Sequence, residues 1–416
     1  MKKIRQLNVF AAFASRNYTL YFFGRSVSQF GTWMQRTAVI WVVYSITHSP
    51  FLIGVTIFAE QFPSFLFSIP GGVAADRYNR YTIIKICQVT SMIQAVLLAL
   101  LVITGHTIIW AILALSVLLG IINAFDVPAR QSMLHDVVAD PEHLPNAVSL
   151  TTATASLAQL LGPALSGIVL SAFGAGVCFL LNEASFGGVI LSILFMKLPV
   201  YKPKAVRKKV LTEFAEGFTY IKNTPSIGLI VVMIAAICFL VLPYNTVLPV
   251  FAKVIFKGGA STFGYINSFV GVGAVTGTFF LASRKPGGNL KTILFAGAVL
   301  LGVGLICFSQ IKFFPLAMVF AAVSGFGAMS QYTATNIMVQ SGSEPAMRGR
   351  AIGILLMAIF GTAPLGSLIT GAVSERIGAP ATVLAQGIIA IVIALIFIKF
   401  LLWPDKKKEE VKMEHL

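Results

Sequence analysis

The chain has 416 residues, of which 57% are hydrophobic and 11% charged, with a mean hydropathy of +0.86. Soluble domains carry about 25% charged residues, so this composition excludes a soluble globular protein and indicates a polytopic membrane protein. The formal net charge of +16 does not indicate nucleic-acid binding, because the basic residues sit between apolar runs and form no stripe on a soluble face.

A helix of ~20 residues covers the ~30 Å of hydrocarbon in a bilayer. Runs of that length predict an all-α membrane protein with twelve transmembrane helices, at 18–46, 51–73, 82–103, 108–128, 146–172, 176–197, 226–251, 262–283, 290–310, 313–337, 350–373 and 379–403. The first run is not read as a cleavable signal, being too long, carrying Arg25 and Arg36, and lacking a small-residue cleavage site. An even number of spans puts both ends of the sequence on one side. Of the 31 Lys and Arg, 25 fall on that side, against only Lys253, Lys257, Lys312 and Arg376 on the other, with Arg25 and Arg36 inside the first span. This asymmetry predicts cytoplasmic ends. Cys87, Cys178, Cys238 and Cys307 stand singly in apolar runs, without C-x-x-C or metal spacing, and read as packing residues. No metal or cofactor is expected.

Between the second and third runs lies 71–80, GGVAADRYNR, which reads as a tight turn whose glycines let helix ends approach and whose Asp76, Arg77 and Arg80 fix charges at the membrane surface. The longest connection, 198–225, opens with Lys202, Lys204, Arg207, Lys208 and Lys209. It then places Leu211, Phe214, Phe218 and Ile221 on one helical face, as an amphipathic surface helix would. The domains are accordingly 1–197, a six-helix bundle; 198–225, a cytoplasmic basic linker; 226–403, a second six-helix bundle; and 404–416, a charged cytoplasmic tail. A faint repeat relates the halves: Gly162, Pro163 and Gly167 in span five answer to Gly361, Pro364 and Gly366 in span eleven.

The 71–80 turn resembles the G-x-x-x-D-R-x-x-R turn of the major facilitator superfamily, with Gly72, Asp76, Arg77 and Arg80 in the matching places. The segments 31–36 (GTWMQR), 125–133 (FDVPARQSM), 144–150 (LPNAVSL), 217–225 (GFTYIKNTP) and 242–252 (LPYNTVLPVFA) resemble its drug and siderophore exporter branch, which includes the enterobactin exporter and macrolide-efflux proteins. The resemblance implies two pseudo-symmetric six-helix bundles enclosing one cavity, in a bacterial inner membrane. It also implies export by alternating access, driven by proton antiport. Span five matches the antiporter signature in part, since Ala158 and Ser166 stand where glycine is usual.

A charge in mid-bilayer needs a partner or a wet cavity. In span one, Arg25, Gln29, Thr32 and Arg36 fall at i, i+4, i+7 and i+11, a polar stripe that either lines a substrate cavity or hydrogen-bonds a neighbouring helix. Glu60 shares a face of span two with Ser64 and Ser68. It is read as a proton-coupling carboxylate, or as half of a permanent ion pair with Arg36. Glu183, in span six, is a second proton candidate. Asp126 and Arg130, i and i+4 in span four, are assigned to a cytoplasmic gate. The family resemblance supports a gate in which Arg77 and Arg80 pair with Asp126 in the outward-open state while Asp76 faces the start of span eleven near 350–352. In the second half, Tyr244 and Asn245 lie between Pro243 and Pro249, where the ladder of a helix must break. They join Asn267, Gln331 and Thr335 as candidate cavity residues. Gly273 and Gly277 read as points of close helix contact.

The reading is an exporter of a bulky amphipathic small molecule, a drug or siderophore, with protons and membrane lipid as further partners and a monomeric state. The alternative is a lysophospholipid or glycolipid flippase of the same fold. The sequence lacks H-E-x-x-H, G-x-S-x-G and paired intramembrane aspartates, so no enzyme is expected.

Overall fold

The computed structural model describes residues 10–196, 210–284 and 289–398, and every regular element among them is helical. After a short 3-10 turn come α1 (Arg16–Thr47), α2 (Pro50–Leu66), α3 (Ser68–Arg77), α4 (Arg80–Ile103), α5 (Ile109–Val137), α6 (Leu144–Phe173) and α7 (Ala175–Leu194). Then follow α8 (Val210–Asn223), α9 (Pro225–Leu240), the one-turn α10 (Leu248–Val250), α11 (Ala260–Ala282), α12 (Leu290–Gln310), α13 (Phe314–Gly342), α14 (Arg348–Ile377) and α15 (Ala379–Ile396). Local chemistry sets several boundaries. The Ser15 and Ser49 hydroxyls and the Asn79 carbonyl accept from backbone N–H groups at the starts of α1, α2 and α4, and Pro50 occupies the first turn of α2.

Among the described residues, ten helices are long and apolar enough to cross a membrane, counting Pro225–Ile255 as one. The pair α2 and α3 forms an eleventh candidate, bent by 47°. Helix α1 has the length, 32 residues, but Arg25, Gln29, Gln35 and Arg36 dilute its apolar character.

Two expectations need correction. The stretch 71–80 is not a loop: helix continues through α3 to Arg77, and only Tyr78 and Asn79 separate it from α4. The glycine that matters is Gly71. A side chain there would collide with the Ala124 carbonyl of α5, whereas Gly72 has open space around it. Span four also runs further than expected. Helix α5 continues to Val137, so Asp126 and Arg130 lie within it and not at its end. The Pro243–Pro249 break is present. Helix α9 stops at Leu240, the chain turns through Leu242–Val247 in 3-10 form, and Phe251–Ile255 closes the span as π-helix.

The chain packs as two compact units. The first holds the described residues of Met1–Thr212 together with Thr246–Ser268 and Ser367–Glu375. At the end where α3 meets α4, its core joins Tyr18, Tyr21, Ile84, Met133, Val137 and Ile193. At the opposite end, the two later segments join it through glycines. A side chain on Gly167 of α6 would sit 2.8 Å from the Gly264 Cα of α11, and one on Gly371 of α14 would sit 2.6 Å from the Pro50 carbonyl. Trp41 stacks on Phe263 at 5.9 Å, and Lys253 lies 3.5 Å from His48 Nδ1. Glu375 accepts from Ser49 Oγ at 2.8 Å and Phe51 N at 3.2 Å.

The second unit holds Glu213–Asn245 and the described residues of Phe269–Gly366 and of Arg376–Leu416. Its core includes Ile221 of the linker helix with Ile230, Ile234, Val339, Ile354 and Leu355. Of the expected apolar face of α8, Ile221 is buried and Phe218 is exposed. Glu216 pairs with Arg350 at 2.7 Å, and Tyr220 OH accepts from Glu344 N at 3.0 Å, so α8 is fastened to the 344–350 segment. Gly273 and Gly277 meet α13, and a side chain on the latter would sit 2.7 Å from the Phe326 carbonyl.

Candidate functional site

The polar stripe of α1 meets α2 through Arg36. Arg36 Nε donates to Glu60 Oε1 at 2.6 Å, and its guanidinium lies 5.2 Å from the Trp33 ring centroid. The pair is partly open: the Arg36 side chain is 31% exposed and Glu60 14%. Helix α2 holds Glu60 close against α5, where Gly120 admits the Glu60 carbonyl and accepts a 2.7 Å hydrogen bond from Ser64. Thr32 spends its hydroxyl on the Ser28 carbonyl at 2.8 Å, within its own helix. Arg25 and Gln29 are half-buried.

One position along, α1 builds a network that the sequence reading missed. Gln35 donates to Gln94 Oε1 of α4 at 2.9 Å and accepts from Asn182 Nδ2 of α7 at 2.7 Å. Gln94 donates onward to the Leu115 carbonyl of α5 at 3.3 Å. All three side chains are buried. The Asn182 amide thereby ties α7 to α1, and its neighbour Glu183 is half-buried on α7. The missed signal was present as three amides in apolar runs, each of which requires a partner.

The charged residues assigned to the gate have these partners here. Arg80 pairs with Asp136 at 3.0 Å and donates to the Ser132 carbonyl at 3.2 Å and the Ala75 carbonyl at 3.2 Å. Asp126 lies about 15 Å deeper along α5 than Asp136, at ~1.5 Å per residue. There it pairs with Arg130 and accepts from Gln88 at 3.4 Å. The acid that serves Arg80 is therefore the one beside the helix end, Asp136. Asp76 and Arg77 are exposed, and Arg350 pairs with Glu216.

The remaining candidates are dispersed. Tyr244, Gln331 and Thr335 are buried, at 2%, 1% and 0% exposure, and meet no solvent in this state, while Asn245 is exposed. Gln331 packs against Gly297 of α12. Asn267 bonds the Phe263 carbonyl of its own helix at 2.9 Å. Among the described residues, no three His, Cys, Asp or Glu side chains cluster as a metal site requires.

An all-helical membrane protein with ion pairs inside its spans has the architecture of a transporter. Residues 7–416 match the major facilitator family described as transmembrane secretion effector, so the chain belongs to that family of transporters and is not an enzyme. It is 26% identical over 385 residues to the staphyloferrin A transporter of Staphylococcus aureus, covering 91% of this chain and 95% of that one. It is 22% identical over 355 residues to the multidrug efflux pump Tap of Mycolicibacterium fortuitum, covering 83% and 86%. Among solved structures it is similar to a bacterial homologue of the human lysosomal transporter Spinster, with a TM-score of 0.69 at 16% identity, over 92% and 96% of the two chains.

Proposed function

We propose that this transporter exports a bulky amphipathic small molecule, a siderophore or drug, by alternating access coupled to proton antiport. In this reading α1 and the bent α2–α3 pair join the ten apolar spans to make twelve, in two six-helix bundles, with both ends of the sequence in the cytoplasm of a bacterial cell. The names of the relatives support siderophore or drug export as the cargo class. The observation that carries the coupling is the Arg36–Glu60 pair, the charged contact at 2.6 Å in a partly open site. A proton delivered to Glu60 removes its charge and releases Arg36; a deprotonated Glu60 takes Arg36 back. Cargo that donates to the deprotonated Glu60 carboxylate then competes with the proton for one group, which is the logic of exchange. At the end opposite α3, the Gly167–Gly264 and Gly371–Pro50 approaches support a closed outer side.

The test is efflux from proteoliposomes under an imposed proton gradient, with wild type beside Glu60→Gln. The expected result is that Glu60→Gln still equilibrates cargo down its own gradient but no longer accumulates it when a proton gradient is applied. Gradient-driven accumulation at the wild-type level would refute the assignment. Labelled lysophospholipid in the same vesicles distinguishes export of a soluble cargo from lipid translocation.

A further inference from the structure

Arg130 is held on one edge only. Its Nε donates to Asp126 Oδ2, one helical turn earlier on α5, and the other Asp126 oxygen accepts from Gln88 Nε2 of α4. Arg130 Nη1 and Nη2 are buried and have no hydrogen-bond partner among the described residues, and the side chain is 5% exposed. A guanidinium presents its donors in a rigid planar fork, and the two terminal nitrogens form an edge spaced for both oxygens of one carboxylate. A buried charged donor lacking an acceptor is among the costliest groups a membrane protein can carry, and such groups mark sites of ligand passage.

The local charge count points the same way. Helix α1 packs against α5 and brings Arg25 within electrostatic range of Arg130, Asp126 and Arg36. Glu60 balances Arg36, and Asp126 balances one of the other two arginines. One positive charge in this group is left without a counterion. The apolar core immediately beyond it, with Tyr21, Ala129 and Met133, fixes α1 and α5 in register and so fixes where Arg25 and Arg130 stand.

We propose that Arg130 and Arg25 form an anion site that receives a carboxylate of the cargo, and that Asp126 is a positioning residue that holds Arg130 by Nε and leaves its terminal edge to the ligand. The physiological ligand rests on the exporter reading above; the binding site itself does not. A carboxylate suits the site because one planar group accepts from both terminal nitrogens while its charge offsets the surplus.

The experiment is thermal unfolding and calorimetric titration of the purified full chain in detergent, with citrate as the probe and its uncharged trimethyl ester and inorganic phosphate as the other arms. Citrate is expected to raise the melting temperature saturably and the ester to leave it unchanged. Arg130→Gln and Arg25→Gln are each expected to weaken citrate binding by about tenfold to a hundredfold, the worth of a charge-assisted bond. Asp126→Asn is expected to weaken it too, with recovery in Asp126→Glu, which a purely structural acid would not show. Equal binding of citrate and ester, binding of phosphate alone, or a citrate shift unchanged in Arg130→Gln overturns the proposal. If Arg130→Gln does not fold, Arg25→Gln, altered at a half-buried position, decides in the same way. No step measures transport, so loss of export in the proteoliposome assay leaves this result standing, and the reverse holds.

Discussion

At Gly71 a hydrogen atom decides how closely two helices approach. The Ala124 carbonyl of α5 occupies the space where a side chain would begin, and both partners are backbone, which cannot swing aside. Gly71→Ala is therefore expected to push α3 off α5 and cost about 1–3 kcal/mol, as overpacking does. Gly72→Ala, facing open space, is expected to cost less than about 1 kcal/mol. Melting of the two purified variants side by side checks this, and a larger loss in Gly72→Ala would refute it. The motif pointed to Gly72 because spacing to Asp76 and Arg77 is countable, whereas the depth of a contact with a distant helix is not. The same limit applied to acids and amides. The i, i+4 spacing of Asp126 and Arg130 was legible, but their pairing was not: Asp126 was expected to meet Arg77 and Arg80. That Arg80 would choose Asp136 depends on where α5 ends, and that Gln35 would meet Gln94 and Asn182 depends on which helices become neighbours.

Among the elements, the apolar runs were the most readable feature, since burial in lipid requires an uninterrupted stretch and little else. The 290–310 run coincides with α12, and Pro225–Ile255 breaks where its prolines remove backbone donors. The bend between α2 and α3 was hidden, because hydropathy continues across Phe67 while the backbone turns by 47°. Glu375 is a second feature that sequence distance concealed. It sits in the last turns of α14, yet it takes up the start of α2 by accepting from Ser49 Oγ and Phe51 N. A carboxylate there satisfies an N–H that the helix cannot bond internally and meets the positive end of its dipole. Glu375→Gln is expected to loosen this end by about 1 kcal/mol. The readout is thiol labelling of Ala260→Cys, at a buried position in the Gly167–Gly264 contact, in a background without native cysteines. A labelling rate about fivefold higher with Glu375→Gln is expected if opening limits access. An unchanged rate would show that the glycine contacts alone keep this end shut.

For the molecule as a whole, the count of crossings turns on α1. Ten apolar spans and the bent α2–α3 pair make eleven, and an odd number would send the two ends of the sequence to opposite sides. Helix α1 is polar for a span, but three of its polar groups are met within the protein. Arg36 is paired with Glu60, Gln35 is bonded on both sides, and Thr32 is closed on its own helix. Once those groups are satisfied by neighbouring helices, the cost of placing α1 in the bilayer falls and its 32 residues suffice to cross. The twelve crossings proposed agree with the lysine and arginine asymmetry, under which 25 of the 31 are expected on one side. The expected outcome is that a fluorescent reporter fused after residue 416 is bright and a phosphatase fused there is inactive, with the same pattern for fusions at Asn79. The opposite pattern is expected at Lys257, in an odd-numbered turn. A tag placed ahead of residue 1 that is reached from outside the cell, with the Asn79 fusion still cytoplasmic, would mean eleven crossings, and α1 would then have to lie outside the bilayer, with Arg36 and Gln35 separated from the partners they have here.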